Sequence, residues 1–439
     1  MAVAGAVSFP MPSFRDLYRS GLLSQYLLCL ACLAGVVGLL AARALVSLSP
    51  LVGVLAVLAN PNLRRDLPNY PRNGAAMRAA AMYVLFVASG FYTSSWPEWR
   101  HETFRLLPWI GVPLVFALAV PLSGKQRVAV GSFFVLGTTA IALATLGRFL
   151  SNPAAAIEAI HLGQSMPSVT RIFHIHFGVM LGLAFFFALR LRREQRVGPV
   201  LRIALLVAAA AIAFTLHALA YRTGLLVFYV VLLTEAVRLV MHRRVALGAV
   251  LLLALAAAPW VGYHTVEPIR LRWRSTYWDV ERFVRGQDIN ETSLARRLAA
   301  WETAGQIIRE HPVLGVGPAD AYAAMMEQYS WRDFGLRPAN RAMVHNQYLH
   351  YLVGSGAVGL LLWLALLLWP LMQPTRARNP YIRQFVLILG TAMLVDSLLE
   401  LQIGFNLFVF GYGFLVVADE RRRRHFGRLP APLAPPKLS

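Results

Sequence analysis

Residues 344–363, VHNQYLHYLVGSGAVGLLLW, set a polar pair, His345 and Asn346, at the mouth of an apolar helix that carries Gly356 and Gly359. Imidazole is the side chain that exchanges protons near neutral pH. A histidine facing water beside a group of arginines therefore has the chemistry of a general base for a hydroxyl. A hydrogen-bonded structural histidine is the ordinary alternative. The two glycines would let a neighbouring helix approach closely.

Three further groups could join this chemistry. Arg222, in LHALAYRTGLL, stands between two apolar stretches with almost no loop. An arginine at that depth costs a few kcal/mol unless it is paired or hydrated. It reads as a planar cation facing a cavity, suited to bidentate phosphate binding, rather than as an interfacial snorkelling charge. A second group is Arg270, Arg272 and Arg274 in IRLRWR, then Arg296, Arg297, Arg337 and Arg341. If IRLRWR is extended, its alternation puts three arginines on one side. Arg297 is better placed, one helical turn before Trp301 and ahead of the Gly-punctuated turn HPVLGVG. The third is His174 and His176 in TRIFHIHFG, flanked by Arg148 and Arg171. Without further ligands at convincing spacing, this H-x-H pair points to packing or hydrogen bonding to substrate, not zinc.

The elements that must position these residues are membrane helices. Of the 439 residues 57% are hydrophobic and 14% charged, more apolar surface than a soluble domain can bury. Apolar stretches recur near 21–41, 44–59, 77–95, 107–121, 128–147, 172–189, 200–220, 224–240, 245–262, 346–372, 383–400 and 403–418. The expected fold is thus an all-α polytopic membrane protein of about twelve transmembrane helices, the second, fourth and twelfth being short. Cys29 and Cys32 form a C-x-x-C inside the first stretch, where packing is the expected role. With no small-residue cleavage site behind it, that stretch reads as an uncleaved anchor.

The formal charge of +21 lies mostly between apolar stretches, and no arginine-rich soluble face with interleaved aromatics suggests nucleic acid. If both termini are cytoplasmic, NPNLRRDLPNYPRNGAAMR, SGKQR, RLRREQR, RLVMHRR, QPTRARNPYIR and the tail RRRRHFGR face inward. The short outer loops then hold only Arg43, Arg100, Arg105, Arg148, Arg171 and Arg222. That asymmetry sets the orientation. The chain reads as one integral membrane domain, 1–439, with a basic, Pro-rich cytoplasmic tail at 421–439. Residues 263–344, with eleven arginines and ten acidic residues, read as a large, partly helical periplasmic loop between the ninth and tenth spans. Within it, apolar positions 294, 298, 301, 304 and 308 predict a helix, and DAYAAMMEQY predicts another.

Three motifs carry a family resemblance. HNQYLHYLVGSGAVG is similar to the H-N-x9-G-x-x-G signature of O-antigen ligases, from His345 to Gly359, and RTGLL matches their R-x3-L at Arg222 and Leu226. RRLAAWETAGQIIREHPVLGVG resembles the periplasmic-loop motif of the wider ligase and polymerase superfamily. A departure is Gly354, where many relatives have an acidic residue. The resemblance extends over essentially the whole chain and implies a GT-C-like glycosyltransferase of the bacterial inner membrane. It would act in lipopolysaccharide biosynthesis, with a multi-pass fold, a site facing the periplasm and no cofactor. The donor would be O-antigen on undecaprenyl pyrophosphate, the acceptor lipid A–core, with membrane lipid around both. The implied roles are His345 as base and Arg222 on the pyrophosphate, assisted by Arg297, Arg148, Arg341 and Arg274. Asn346 would orient the imidazole or a substrate hydroxyl, and His176 would contact substrate. An O-antigen polymerase or a protein O-oligosaccharyltransferase would share these features; a transporter would lack a use for so large an outer loop.

Overall fold

The computed structural model describes residues 13–154, 158, 166–332, 334–373 and 379–426. The Pro-rich end of the expected tail lies outside them. Every assigned element among the described residues is helical. The principal helices are α1 (Leu22–Leu40), α2 (Arg43–Leu58), α3 (Gly74–Ala88), α4 (Trp96–Arg105), α5 (Pro108–Leu118), α6 (Gly124–Ser151), α7 (His174–Leu191) and α8 (Pro199–Ala218). They continue with α9 (Arg222–Met241), α10 (Val245–Thr265), α11 (Glu267–Val284), α12 (Ser293–Glu310), α13 (Ala321–Trp331), α14 (Gln347–Met372), α15 (Pro380–Ala392) and α16 (Gln402–Tyr412).

All twelve expected stretches contain helix, but they are not equally long. Among the described residues nine helices are long and apolar enough to cross a membrane, or ten if the bent pair Arg43–Leu58 and Leu63–Arg72 is one span. Helices α2, α5 and α15 have only 16, 11 and 13 residues, against the roughly 20 needed to cross about 30 Å of hydrocarbon. The last stretch is longer than expected, because a π-helical turn at Gly413–Val417 carries α16 into Ala418–Phe426.

Helix α7 is the centre of the bundle. Phe177, Val179, Met180, Leu181 and Ala184 are fully buried, and α7 packs against α6, α8, α9 and α15. A Cβ on Gly178 would come within 3.1 Å of the Gly224 backbone. This small-residue crossing brings the starts of α7 and α9 together. Helix α10, by contrast, buries almost none of its surface. Cys32 packs in the bundle core, and both cysteines are free.

The segment between α10 and α14 folds into α11, α12 and α13 over one end of the bundle. It has its own small core of Ile289, Ala299, Ala300, Ala304, Met325 and Tyr329, closed against Val353 of α14. The α12 helix lies where the sequence periodicity puts it, but its deepest face is the alanine stripe Ala295, Ala299, Ala300 and Ala304. Of the apolar positions expected to face inward, Leu294, Leu298, Trp301 and Ile308 are only half-buried. Alanines allow the closer approach, so they occupy the contact.

Helix α14 is broken at Gly356, whose φ of 59° lies in the left-handed region. The broken backbone is stitched to the turn after α12. Ala357 N–H donates to the Pro312 carbonyl and Val358 N–H to Val313, while Val316 and Gly317 N–H donate to the carbonyls of Val353 and Gly354. A Cβ on Gly356 would meet the Val313 carbonyl oxygen at 2.2 Å. The glycine therefore admits a turn of chain, not the neighbouring helix expected from the sequence.

Candidate active site

His345 precedes the first residue of the α14 cap and has φ 45°, uncommon for a residue other than glycine. Its neighbours over-determine that conformation. The Asn346 Oδ1 accepts from Tyr348 and Leu349 N–H, and its Nδ2 donates to the Leu394 carbonyl at 2.9 Å. Asn346 N–H donates to Ser397 Oγ, and Gln347 N–H to the Met393 carbonyl. The mouth of α14 is thereby tied to the turn that follows α15.

That turn presents Asp396, whose Oδ1 lies 3.0 Å from His345 Nδ1. Burial of the carboxyl would raise its pKa. The hydrogen bond from His345, together with the charges of His345, His176 and Arg297, outweighs this and holds it below the usual carboxylate value. An ionised carboxylate only accepts, so Nδ1 carries the proton, and in the neutral imidazole the lone pair is on Nε2. The imidazole stays 38% exposed while Asp396 is 7% exposed.

His345 lines a cleft of about 240 Å³ with Phe173, His174, Tyr221, Arg222, Arg272 and Arg297. Ser293 and Arg296 complete the α12 side. Arg222 opens α9, and its Nη2 donates to Ser275 Oγ at 3.2 Å and to the Arg272 carbonyl at 3.4 Å. Arg272 is 6% exposed; burial and the like charge of Arg222 push its guanidinium pKa down to about 10. Arg296 is engaged by the Thr292 carbonyl and Asn340 Oδ1. Arg297 has neither a hydrogen bond nor an ion pair among the described residues; its pKa is lowered by burial and by Arg296, against the opposing pull of Asp396. Against these four cations stand Asp396, bound to His345, and Asp279, which accepts from Leu294 N–H at 2.7 Å. The cleft therefore has an excess of guanidinium suited to an anion with several oxygens.

Of the eight residues assigned a site role from the sequence, the cleft brings together three, His345, Arg222 and Arg297, along with Arg272, Arg296 and His174 from the wider groups. The other five lie elsewhere. Arg148 ends α6 near Tyr221, one side chain back from the cleft. Arg341 lies near Tyr329. Asn346 spends its amide on the helix cap and the Leu394 carbonyl, and the imidazole's partner is Asp396 instead. His176 is 1% exposed beneath the cleft, its Nε2 3.3 Å from the Leu398 carbonyl; of the H-x-H pair it is His174 that lines the cleft. Arg274 is exposed because IRLRWR is helical, not extended. At 100° per residue Arg272 and Arg274 point to different sides, and Arg272 turns inward.

Asp396 was not singled out by sequence reasoning, while Arg272, Arg296 and His174 were named within their groups but given no role of their own. Asp396 had a signal: it is the one acidic residue in YIRQFVLILGTAMLVDSLL, and an ionisable residue within an apolar stretch is a functional candidate by default. Arg272 shares a helical face with Asp279, both buried, a pattern visible only when the segment is read as a helix. Among the described residues no three His, Cys, Asp or Glu side chains are grouped to hold a metal ion.

Fold and cleft together define a polytopic helical membrane protein with a cation-lined, histidine-bearing site at one end of its bundle. The family model described as O-antigen ligase matches residues 166–364. That segment is similar to the O-antigen ligase family, and the similarity supports a general transferase role within the ligase and polymerase superfamily. The match contains Arg222, Arg272, Arg297 and His345; Asp396 lies beyond it. No curated protein matches the chain.

Proposed function

We propose that the protein is an O-antigen ligase that transfers a glycan from undecaprenyl pyrophosphate to a hydroxyl of lipid A–core. The observation that supports this reading is the pairing, in one cleft, of a histidine whose Nδ1 is held by Asp396 with guanidiniums in excess of carboxylates. The acceptor oxygen attacks the anomeric carbon opposite the pyrophosphate, so configuration inverts. Its proton passes to Nε2 of His345 as the carbon–oxygen bond to the leaving pyrophosphate breaks. The negative charge gathering on that group is met by Arg222, Arg272 and Arg297, arranged before the reaction starts. In this scheme neutralisation falls to arginines, and transfer proceeds in excess EDTA.

The reading requires the cleft to face the periplasm of the inner membrane, with both termini cytoplasmic. Alkaline phosphatase fused within 263–344 should be active and fused after residue 420 inactive; the reverse pattern ends the proposal. Deletion in a smooth strain separates the superfamily's two reactions. A ligase mutant leaves bare core and accumulates lipid-linked polymer, whereas a polymerase mutant leaves core capped by a single unit.

A further inference from the structure

A second cavity lies at the other end of the bundle. Helix α7 begins at the cleft with His174, so its far end at Leu191 marks the opposite face, together with the start of α6 and the start of α15. A groove of about 390 Å³ opens there. Its polar residues gather at the mouth: Arg127 in the first turns of α6, Glu194 and Arg196 in the turn after α7, Tyr381 at the start of α15, and Arg422 after the π-helical turn. Its inner walls are apolar, including Val36, Leu39, Phe134, Leu183 and Leu407. From Leu191 to Leu183 is eight helical residues, so the groove runs roughly 12 Å along the bundle at 1.5 Å per residue.

The mouth has cations left over. Glu194 accepts from the Tyr381 hydroxyl at 3.0 Å. Asp419 is engaged by Arg423 at 2.6 Å, and Arg422 reaches it only at 3.5 Å. Arg127 donates to the Leu122 carbonyl. Arg196 is exposed and has no hydrogen bond or ion pair among the described residues. Arg127 feels the like charge of Arg196, offset in part by Glu194 and Asp419, and Arg422 feels that of Arg127, offset in part by Asp419. Three guanidiniums against two shared carboxylates above an apolar slot suit an anion carrying a hydrocarbon chain.

We propose that this groove is a binding site for an anionic phospholipid, with the phosphate among Arg127, Arg196 and Arg422 and one acyl chain along Leu183, Phe134 and Leu39. The site is separated from the glycan-transfer cleft by the length of α7 and is independent of it. It would anchor the bundle in the leaflet opposite the cleft, where juxtamembrane arginines attract anionic headgroups.

The test is native mass spectrometry of the full-length, detergent-purified protein with phosphatidylglycerol, with phosphatidylcholine of the same chains, and with glycerol phosphate. The wild type should retain one phosphatidylglycerol in strong preference to phosphatidylcholine, and glycerol phosphate should not displace it. Arg196→Gln and Arg422→Gln should each weaken retention about fivefold, the effect of one arginine at an anionic surface. Leu415, in the π-helical turn, also lines the slot, and Leu415→Trp, which narrows it with every charge kept, should weaken retention as well. Because Arg196 has no partner among the described residues, Arg196→Gln should fold as the wild type, checked by thermal unfolding. Equal retention of the two lipids, displacement by glycerol phosphate, or unchanged retention in Arg196→Gln and Leu415→Trp would each overturn the proposal.

Discussion

Asp396 Oδ1 lies 3.0 Å from His345 Nδ1, although 51 residues separate them along the chain. One comes from the mouth of α14, the other from the turn after α15, and Asn346 bonds the two segments together. The carboxylate fixes which imidazole nitrogen holds the proton. It also compensates an imidazolium should one form during turnover. On the proposed reading Asp396 is a positioning residue that acts through His345.

Replacing Asp396 with Asn should keep the size of the side chain and lose control of the tautomer, since an amide can donate to Nδ1 as well as accept from it. Transfer should fall by about 10²- to 10⁴-fold, the range a positioned base supplies. Donor binding should change little. Transfer rate and donor affinity measured side by side in nanodiscs decide the point; an equal loss of both would make Asp396 a structural residue.

The same pair has an acid signature. The folded-state pKa of Asp396 is depressed, so its stabilisation is fully present above the unfolded value of about 3.9. It is lost as pH falls through the lower folded value. The difference in thermal stability between wild type and Asp396→Asn should be flat from neutral pH to about 5 and shrink below about 4. A difference independent of pH would mean that the carboxylate is not charged in the folded protein.

Arg222→Lys should be nearly as damaging as Arg222→Ala. The guanidinium donates through Nη2 to Ser275 and to the Arg272 carbonyl and lines the cleft. A lysine keeps the charge but not the planar fork. Each charged hydrogen bond lost is worth about 1.5–3 kcal/mol, or roughly 10- to 100-fold in rate. Most activity surviving in the lysine variant, at normal expression, would reduce Arg222 to an interfacial charge.

How much of this was legible in the sequence follows from the range over which each feature is encoded. The apolar stretches and the α12 periodicity are local patterns, and helices stand where those patterns lie. His345, Arg222 and Arg297 each had a local signal. Asp396 is joined to His345 only by the return of α15, a long-range fact that no local spacing records. IRLRWR is ambiguous for a different reason: its alternation fits a strand, while the fold makes it a helix and selects Arg272 over Arg274. Gly356 was read as a helix-contact residue because a positive φ leaves no trace in composition.

Gly356→Ala should disrupt the site from a distance. A Cβ there would strike the Val313 carbonyl at 2.2 Å, and the φ of 59° is unfavourable to alanine. The cost should be about 2–3 kcal/mol, read as a lowered unfolding temperature, with transfer falling as the turn and α14 part. Gly305→Ala is the control. Gly305 lies in α12 with nothing within 4 Å of a new Cβ, so alanine should stabilise by up to about 1 kcal/mol. Similar behaviour of the two variants would show that the α14 break does not depend on its glycine.

On the proposed reading, His345 stands at the mouth of α14 because a hydroxyl must lose its proton there as the glycosyl–pyrophosphate bond breaks beside the arginines. A sugar hydroxyl is too weak an acid to ionise unaided, and the base should contribute about 10²–10⁴-fold. Two replacements separate the chemistry from the fold. His345→Gln has similar reach but no usable base. His345→Asn places at φ 45° a residue that tolerates the left-handed region, so it should fold at least as well as the glutamine variant. Both should insert normally and bind donor like the wild type, because the pyrophosphate is assigned to Arg222, Arg272 and Arg297. Both should lose transfer to the same extent. The measurement is single-turnover transfer against donor binding for each variant. If donor binding falls while residual chemistry stays fast, His345 is a phosphate ligand, and the proton must leave the acceptor by way of His174, the other histidine on the wall of the cleft.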